Sequence, residues 1–218
     1  GYPGDYVPKP EVPEDDGYIV GMQSCSLWKE GSHFGWDWIS DWEERQSYLG
    51  LYDEMKPETA DWEIKWMAEH SVDFELFCWY RPAGGENEAI KQPRNAYALE
   101  EAYFNARYSD MLKFAIAWEN SGSNVSGAAD FRENVVPYWI EQYFKDDRYM
   151  TVNNKPIVGV YNFTKLCSQF GSVDGIRKEM DYLRQACVQA GFDGCIIMLT
   201  SSEVAADVLE QYAAAGID

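Results

Sequence analysis

Several short apolar runs in this chain end in residues that can do chemistry. Asp73–Tyr80 ends in Trp79 and Tyr80 with Arg81 next, and Lys113–Glu119 ends in Trp118 and Glu119 with Asn120 next. Pro156–Tyr161 leads to Tyr161 and Asn162, and Cys195–Thr200 leads to Thr200, Ser201 and Ser202. The first run, Tyr18–Cys25, feeds a loop carrying Trp28, His33, Trp36 and Trp38. Aromatic, amide, guanidinium and carboxylate groups in one set can stack on a sugar ring and bind its hydroxyls. Glu119 is the best catalytic candidate present, because an acid directly after FAIAW is lifted to a strand end. There it can accept from sugar hydroxyls or act as an acid or base. The plainer alternative is a structural carboxylate paired with a residue such as Arg81. Glu75, between Phe74 and Leu76, reads as structural, pointing inward or paired with a helix cation. Asp41-Trp42-Glu43-Glu44 reads as a solvated loop. Asn124-Val125-Ser126 and Asn162-Phe163-Thr164 match the glycosylation sequon.

Other chemistries lack their residues. The two histidines, His33 and His70, and the five cysteines form no C-x-x-C or clustered metal set, so neither metal nor cofactor is expected. His70 reads as the cap of a helix. Three cysteines sit in apolar runs as small hydrophobes, which argues against a disulfide framework. No G-x-G-x-x-G, Walker or G-x-S-x-G pattern occurs. The formal charge of −19 opposes binding to nucleic acid or to an anionic membrane. No apolar run is long enough to span a bilayer. Nine Trp and fifteen Tyr exceed the needs of a core, although a large aromatic core is the simpler account for most of them. No leader peptide is legible at Gly1, so an exported protein with its signal already removed is expected, placed in the periplasm, at the cell surface or outside.

The elements that must position these residues alternate. Residues 1–17 are proline-rich and aperiodic, an extended leader. The five apolar runs read as strands, separated by helical patterns. Ala60, Ile64, Met67 and Ala68 share one helical face after Pro57. Leu99, Ala102, Tyr103 and Ala106 make a second stripe, and Val136, Trp139, Ile140, Tyr143 and Phe144 a third. In the third, Pro137 requires a helix that begins just before it. Ile176, Met180, Leu183 and Cys187 make a fourth, capped by Ser172 and stopped at Gly191. Val204, Val208, Leu209 and Tyr212 make a fifth, capped near Ser201 or Ser202 and stopped at Gly216.

Strands apolar on both faces, alternating with amphipathic helices, predict a parallel sheet covered by helices. A doubly wound sheet would carry a Gly-rich turn after its first strand, and a loop of about thirty residues stands there instead. Such a loop suits the active face of a (β/α)8 TIM-type barrel, where function sits at the C-terminal strand ends. A complete barrel takes about 250 residues. The reading is therefore an α/β barrel cut after about five βα units, spanning 18–218. Its open edges would need cover from another copy or from a missing C-terminal part.

Longer stretches carry a resemblance. YFNARYSDMLKFAIAWEN (103–120), YFKDDRYMTVNNKPIVGVYN (143–162), LRQACVQAGFDG (183–194) and the segment 49–82 resemble glycoside hydrolase family 99-like proteins, also labelled WbsX-type glycosyltransferases. The resemblance implies a (β/α)8 barrel acting on glycans without metal. Relatives of this kind are retaining α-mannosidases and mannanases, in which the substrate's 2-hydroxyl serves as internal nucleophile and two carboxylates assist. It also implies that those carboxylates lie in an Asn-Glu-Trp motif, which this sequence lacks. What carries over is the fold and one wall of a cleft binding oligo- or polysaccharide. Trp28, Trp36, Trp79, Tyr80, Arg81, Trp118, Glu119, Asn120, Tyr161 and Asn162 are expected to form it. The sequence reads as the N-terminal part of a hydrolase of α-linked polysaccharide. A non-catalytic glycan-binding or scaffold module stands second, and a glycosyltransferase last, since no D-x-D or phosphate cradle is present.

Overall fold

The computed structural model describes residues 7–14, 17–31, 36–81, 86–91, 96–121, 127–200 and 205–218. His33, Asn124, Ser126, Ser201, Ser202 and Val204, singled out above, lie outside them. The chain divides into two compact units, Gly1–Phe77 with Asn95–Lys113, and Cys78–Arg94 with Phe114–Asp218.

In the first unit, β1 (Gly21–Ser24) runs parallel to β2 (Phe74–Trp79), with Gly21 opposite Phe74 and Ser24 opposite Phe77. The loop between them holds α1 (Trp36–Ile39), a 3-10 turn (Glu43–Arg45) and α2 (Pro57–Ala68). Pro57 opens α2, where its missing N–H would have had no helical partner. Ala60, Ile64, Met67 and Ala68 are buried on its inner face. His70 caps the end, with Nδ1 2.6 Å from the Trp66 carbonyl oxygen. Asp41 to Glu44 are exposed, as a solvated loop should be.

The stripe from Leu99 to Ala106 does not form one α-helix. A π-type turn (Tyr97–Ala102) passes into a 3-10 turn (Tyr103–Asn105), and Ala106 is extended. The buried Tyr103 hydroxyl donates to the carbonyls of Ser109 and Leu112. That anchor folds the following segment back and stops the helix. The proline-rich leader is docked at Val7, which is buried and accepts from the Tyr108 hydroxyl at 2.9 Å. Glu11 N–H donates to Glu69 at 3.0 Å.

The second unit receives the end of β2. Strands β3 (Lys113–Trp118), β5 (Lys155–Val160) and β6 (Ile196–Leu199) are parallel, with Trp118 opposite Val160 and Val160 opposite Leu199. One strand escaped the sequence reading: β4 (Thr151–Val152) pairs antiparallel with β5. Asn153 and Asn154 make that turn at φ 50° and 57°, the left-handed geometry of a two-residue hairpin. The parallel-rich α/β sheet agrees with the fold class expected.

The third stripe starts earlier than expected. Helical turns run without a break over 128–144: α3 (Ala128–Asp130), a π-type turn (Phe131–Val135), α4 (Val136–Trp139) and a second π-type turn (Ile140–Phe144). The π-type turn shifts the carbonyl ladder just before Pro137, which has no N–H to give. A helix missed in the sequence, α5 (Phe163–Phe170), precedes α6 (Val173–Gln189), which Ser172 caps by accepting from Gly175 N at 3.0 Å. The last helix is α7 (Ala206–Ala214). Gly191 and Gly216 follow α6 and α7 at φ 101° and 82°. No helix among the described residues is long and apolar enough to cross a membrane.

Candidate functional site

Side chains alternate across a strand, so neighbouring residues at a strand end cannot share a face. Register decides which does what. Phe114, Ile116 and Trp118 of β3 face the helices, where Trp118 stacks on Phe131 at 5.5 Å and meets Trp139 edge-on at 5.7 Å. Trp79 meets Trp139 edge-on at 5.3 Å. Trp79 is 2% exposed and Trp118 0%, so neither offers a ring face to a ligand. This corrects the expectation of a sugar-stacking role for these two: their rings hold the sheet to the 128–144 helical turns.

Arg81 and Asn120 are corrected for the same reason, being 1% and 0% exposed. Arg81 donates to the Asp130 carboxylate through Nε at 3.0 Å and Nη2 at 2.8 Å, and to the Glu88 carbonyl at 2.7 Å. Asp130 also accepts from Asn87 N–H at 2.8 Å and from the Asn134 amide at 2.9 Å. The pair thus ties the segment after β2 to the start of the helical turns. Asn120 extends the strand ladder with its side chain. Its Nδ2 donates to the Asn162 carbonyl at 2.9 Å and to Gln169 Oε1 at 3.2 Å, and its Oδ1 accepts from Asn162 N–H at 2.8 Å. Asn162 in turn caps α5, its Oδ1 accepting from Lys165 N–H at 2.9 Å.

The opposite phase of the alternation carries Tyr80, Glu119, Tyr161 and Thr200. They fall in one row at the C-terminal ends of β2, β3, β5 and β6. The backbone ladder fixes it: Glu119 N–H donates to the Trp79 carbonyl at 2.9 Å, Tyr161 N–H to Trp118 at 3.0 Å, and Thr200 N–H to Val160 at 2.9 Å. Tyr80 and Glu119 are half-buried, Tyr161 is 44% exposed, and Thr200 is exposed. The Glu119 carboxylate accepts from the Ser121 hydroxyl. The row offers two phenol rings, a carboxylate acceptor and a hydroxyl, with no cluster of metal-ligating groups among the described residues.

Trp28 and Trp36 come together in the first unit, with centroids 3.7 Å apart. Trp36 is buried and donates to the Tyr52 carbonyl at 3.1 Å, while Trp28 is half-buried. Glu54 grips Trp28 from both sides: its carboxylate accepts from Trp28 N–H at 2.7 Å and its own N–H donates to the Trp28 carbonyl at 2.8 Å. Burial pushes the Glu54 carboxyl up to about 7, against the lowering effect of the backbone N–H bonds it accepts. Asp130 and Glu54 were not anticipated. Asp130 carried no local signal, since its partner is forty-nine positions away. The alternation itself was legible and separates Trp118 from Glu119 without coordinates.

This fold is shared with solved glycoside hydrolases. A GH99 endo-α-mannosidase from Bacteroides thetaiotaomicron superposes with a TM-score of 0.58 at 15% identity, over 94% of this chain and 60% of that one. The same enzyme in complex with bis-tris propane gives 0.57 at 15% identity, over 94% and 58%. The chain thus spans about 58–60% of the length of these solved structures. No curated protein matches the sequence. The profile described as Glycosyltransferase WbsX matches residues 45–218, and the chain belongs to that family.

Proposed function

We propose that this chain forms one wall of a glycan-binding cleft, as the N-terminal part of a (β/α)8 glycoside hydrolase acting on α-linked polysaccharide. The observation that carries the reading is the row Tyr80, Glu119, Tyr161 and Thr200 at the C-terminal strand ends of a chain in this family. Phenol faces stack on a pyranose, and Glu119 accepts its hydroxyl protons. The fold shared with an endo-α-mannosidase supports an α-mannoside as ligand. The same reading places the protein outside the cytoplasm, where such polymers are met.

Retaining hydrolysis needs two carboxylates, typically about 5–5.5 Å apart, or a substrate-assisted equivalent. Glu119 can fill at most one of these roles. Binding without turnover is therefore expected of the 218 residues alone. Titration calorimetry with an α-mannan-derived oligosaccharide tests this. The native chain binds, and Glu119→Gln weakens binding about ten-fold or more, as loss of a charge-assisted hydrogen bond requires. Equal affinity with the fold intact returns Glu119 to a structural role. Turnover of α-mannan by the 218-residue chain would mean the catalytic pair lies within it.

The family's description favours a second reading, a glycosyltransferase. It requires a nucleotide-sugar site, and the sequence has neither D-x-D nor a phosphate cradle. Calorimetric binding of a nucleotide-sugar such as GDP-mannose would support it over hydrolysis.

A further inference from the structure

Two of the five cysteines are buried, Cys187 at 0% and Cys195 at 3% exposed, and they stand at the two ends of one turn. Cys187 is in the last turn of α6, and Cys195 directly precedes β6. The chain between them reverses through two glycines of left-handed geometry, Gly191 at φ 101° and Gly194 at φ 117°. Phe192 N–H donates to the Cys187 carbonyl at 3.0 Å, which closes the helix end. The hairpin of β4 and β5 clamps the turn from outside. Asn154 Nδ2 donates to the Gly191 carbonyl and to Asp193 Oδ2, both at 3.3 Å. Asp193 N–H donates back to the Asn154 carbonyl at 2.9 Å. Glycine geometry and clamp thus set the shape of the turn without help from the thiols.

That shape brings two sulfurs together. The thiols of Cys187 and Cys195 share a hydrogen bond, and Cys195 Sγ also lies 3.7 Å from the Ile196 carbonyl oxygen. The bond to Cys187, followed by burial, pushes the Cys195 thiol well up. In the folded chain the pair is therefore slow to react at neutral pH. Its reaction belongs to folding, while both thiols are still open to solvent. Two thiols that the backbone then holds side by side meet at a high effective concentration.

We infer that Cys187 and Cys195 are a disulfide site, which closes the α6–β6 turn covalently when the chain folds in the presence of a disulfide oxidant. The structure shows its dithiol form. One protein thiolate attacks the oxidant, a small disulfide such as oxidised glutathione, and expels one thiolate to leave a mixed disulfide. The second protein thiolate attacks the protein sulfur of that mixed disulfide and expels the other. The protein gives up two protons and two electrons, and the oxidant becomes two thiols. The new bond pins α6 to β6, and its burial shields it from reductant. It is one bond and not a framework, and it holds whatever ligand the strand-end row takes.

The experiment refolds the native chain and Cys187→Ala from denaturant in equal millimolar reduced and oxidised glutathione, then alkylates free thiols. No Lys or Arg follows Arg184, so trypsin releases both cysteines in one fragment, 185–218. Without reduction that fragment is expected lighter by two hydrogens and unalkylated, exceeding the doubly alkylated form by about ten-fold or more. The oxidised native chain is expected to melt several degrees above the same chain in dithiothreitol, and Cys187→Ala to lose that difference. A fragment recovered doubly alkylated, carrying glutathione or joined to another cysteine's fragment overturns the proposal, as does an oxidised chain that melts no higher than the reduced one. Should Cys187→Ala fail to fold, the mass and melting of the native chain decide by themselves.

Discussion

Trp118 and Tyr161 stand one hydrogen bond apart, the Tyr161 N–H on the Trp118 carbonyl, yet alternation gives them opposite duties. Trp118 has no exposed surface, and truncating it leaves a cavity among Phe131, Trp139 and Phe170. Trp118→Ala is expected to cost about 3–5 kcal/mol of stability, read from denaturant unfolding. Tyr161 is 44% exposed, so Tyr161→Ala is expected to leave unfolding nearly unchanged while weakening α-mannooligosaccharide binding. A Tyr161→Ala protein that melts like Trp118→Ala would show that the row is packing and not a cleft wall.

At the scale of elements, the corner between α5 and α6 is built for one residue type at two places. Gly171 takes φ 86°, a left-handed geometry that terminates α5. Gly175 sits in the first turn of α6, where a Cβ would lie 2.0 Å from the Phe170 carbonyl oxygen. That oxygen is backbone and cannot swing aside. Gly175→Ala should therefore open the corner and lower stability by about 1–3 kcal/mol, although alanine is the better helix former. A midpoint that rises instead would show that the corner relaxes freely. The same corner returns the chain from the Asn162 cap to the ladder at β6, so its loss should also disturb the row at Tyr161.

The whole molecule carries a pH signature. Glu54 and Glu75 are each pushed up from 4.5 to about 7, chiefly by burial, and Glu63 moves the same way. A carboxyl raised in the folded state holds its proton longer folded than unfolded. Its contribution is full below about 4.5 and is lost as pH rises through about 7. Melting at pH 5 is expected several degrees above melting at pH 8. Neutralising the −19 chain acts in the same direction, so the test is a difference: Glu75→Gln should flatten the slope between pH 5 and pH 8. A slope equal to the native one would show that Glu75 is solvated.

The sequence by itself determined the alternation of strand and helix, the Ser172 cap, the Gly191 and Gly216 stops and the strand-end position of Glu119. These follow from periodicity and turn chemistry, which act within a few residues. The strand–helix order also predicted a parallel sheet, and the strand pairing agrees. Local signals existed for β4 too, in Asn153-Asn154, and for the opposite facing of Trp118 and Glu119. Tertiary structure alone decided that Arg81 answers Asp130 and not Glu119, that Asn120 takes the place of backbone beside Asn162, and that Glu75 lies among acids. Each of these depends on which distant segment arrives at a strand end, and an ion pair forty-nine residues long in sequence leaves no periodic trace.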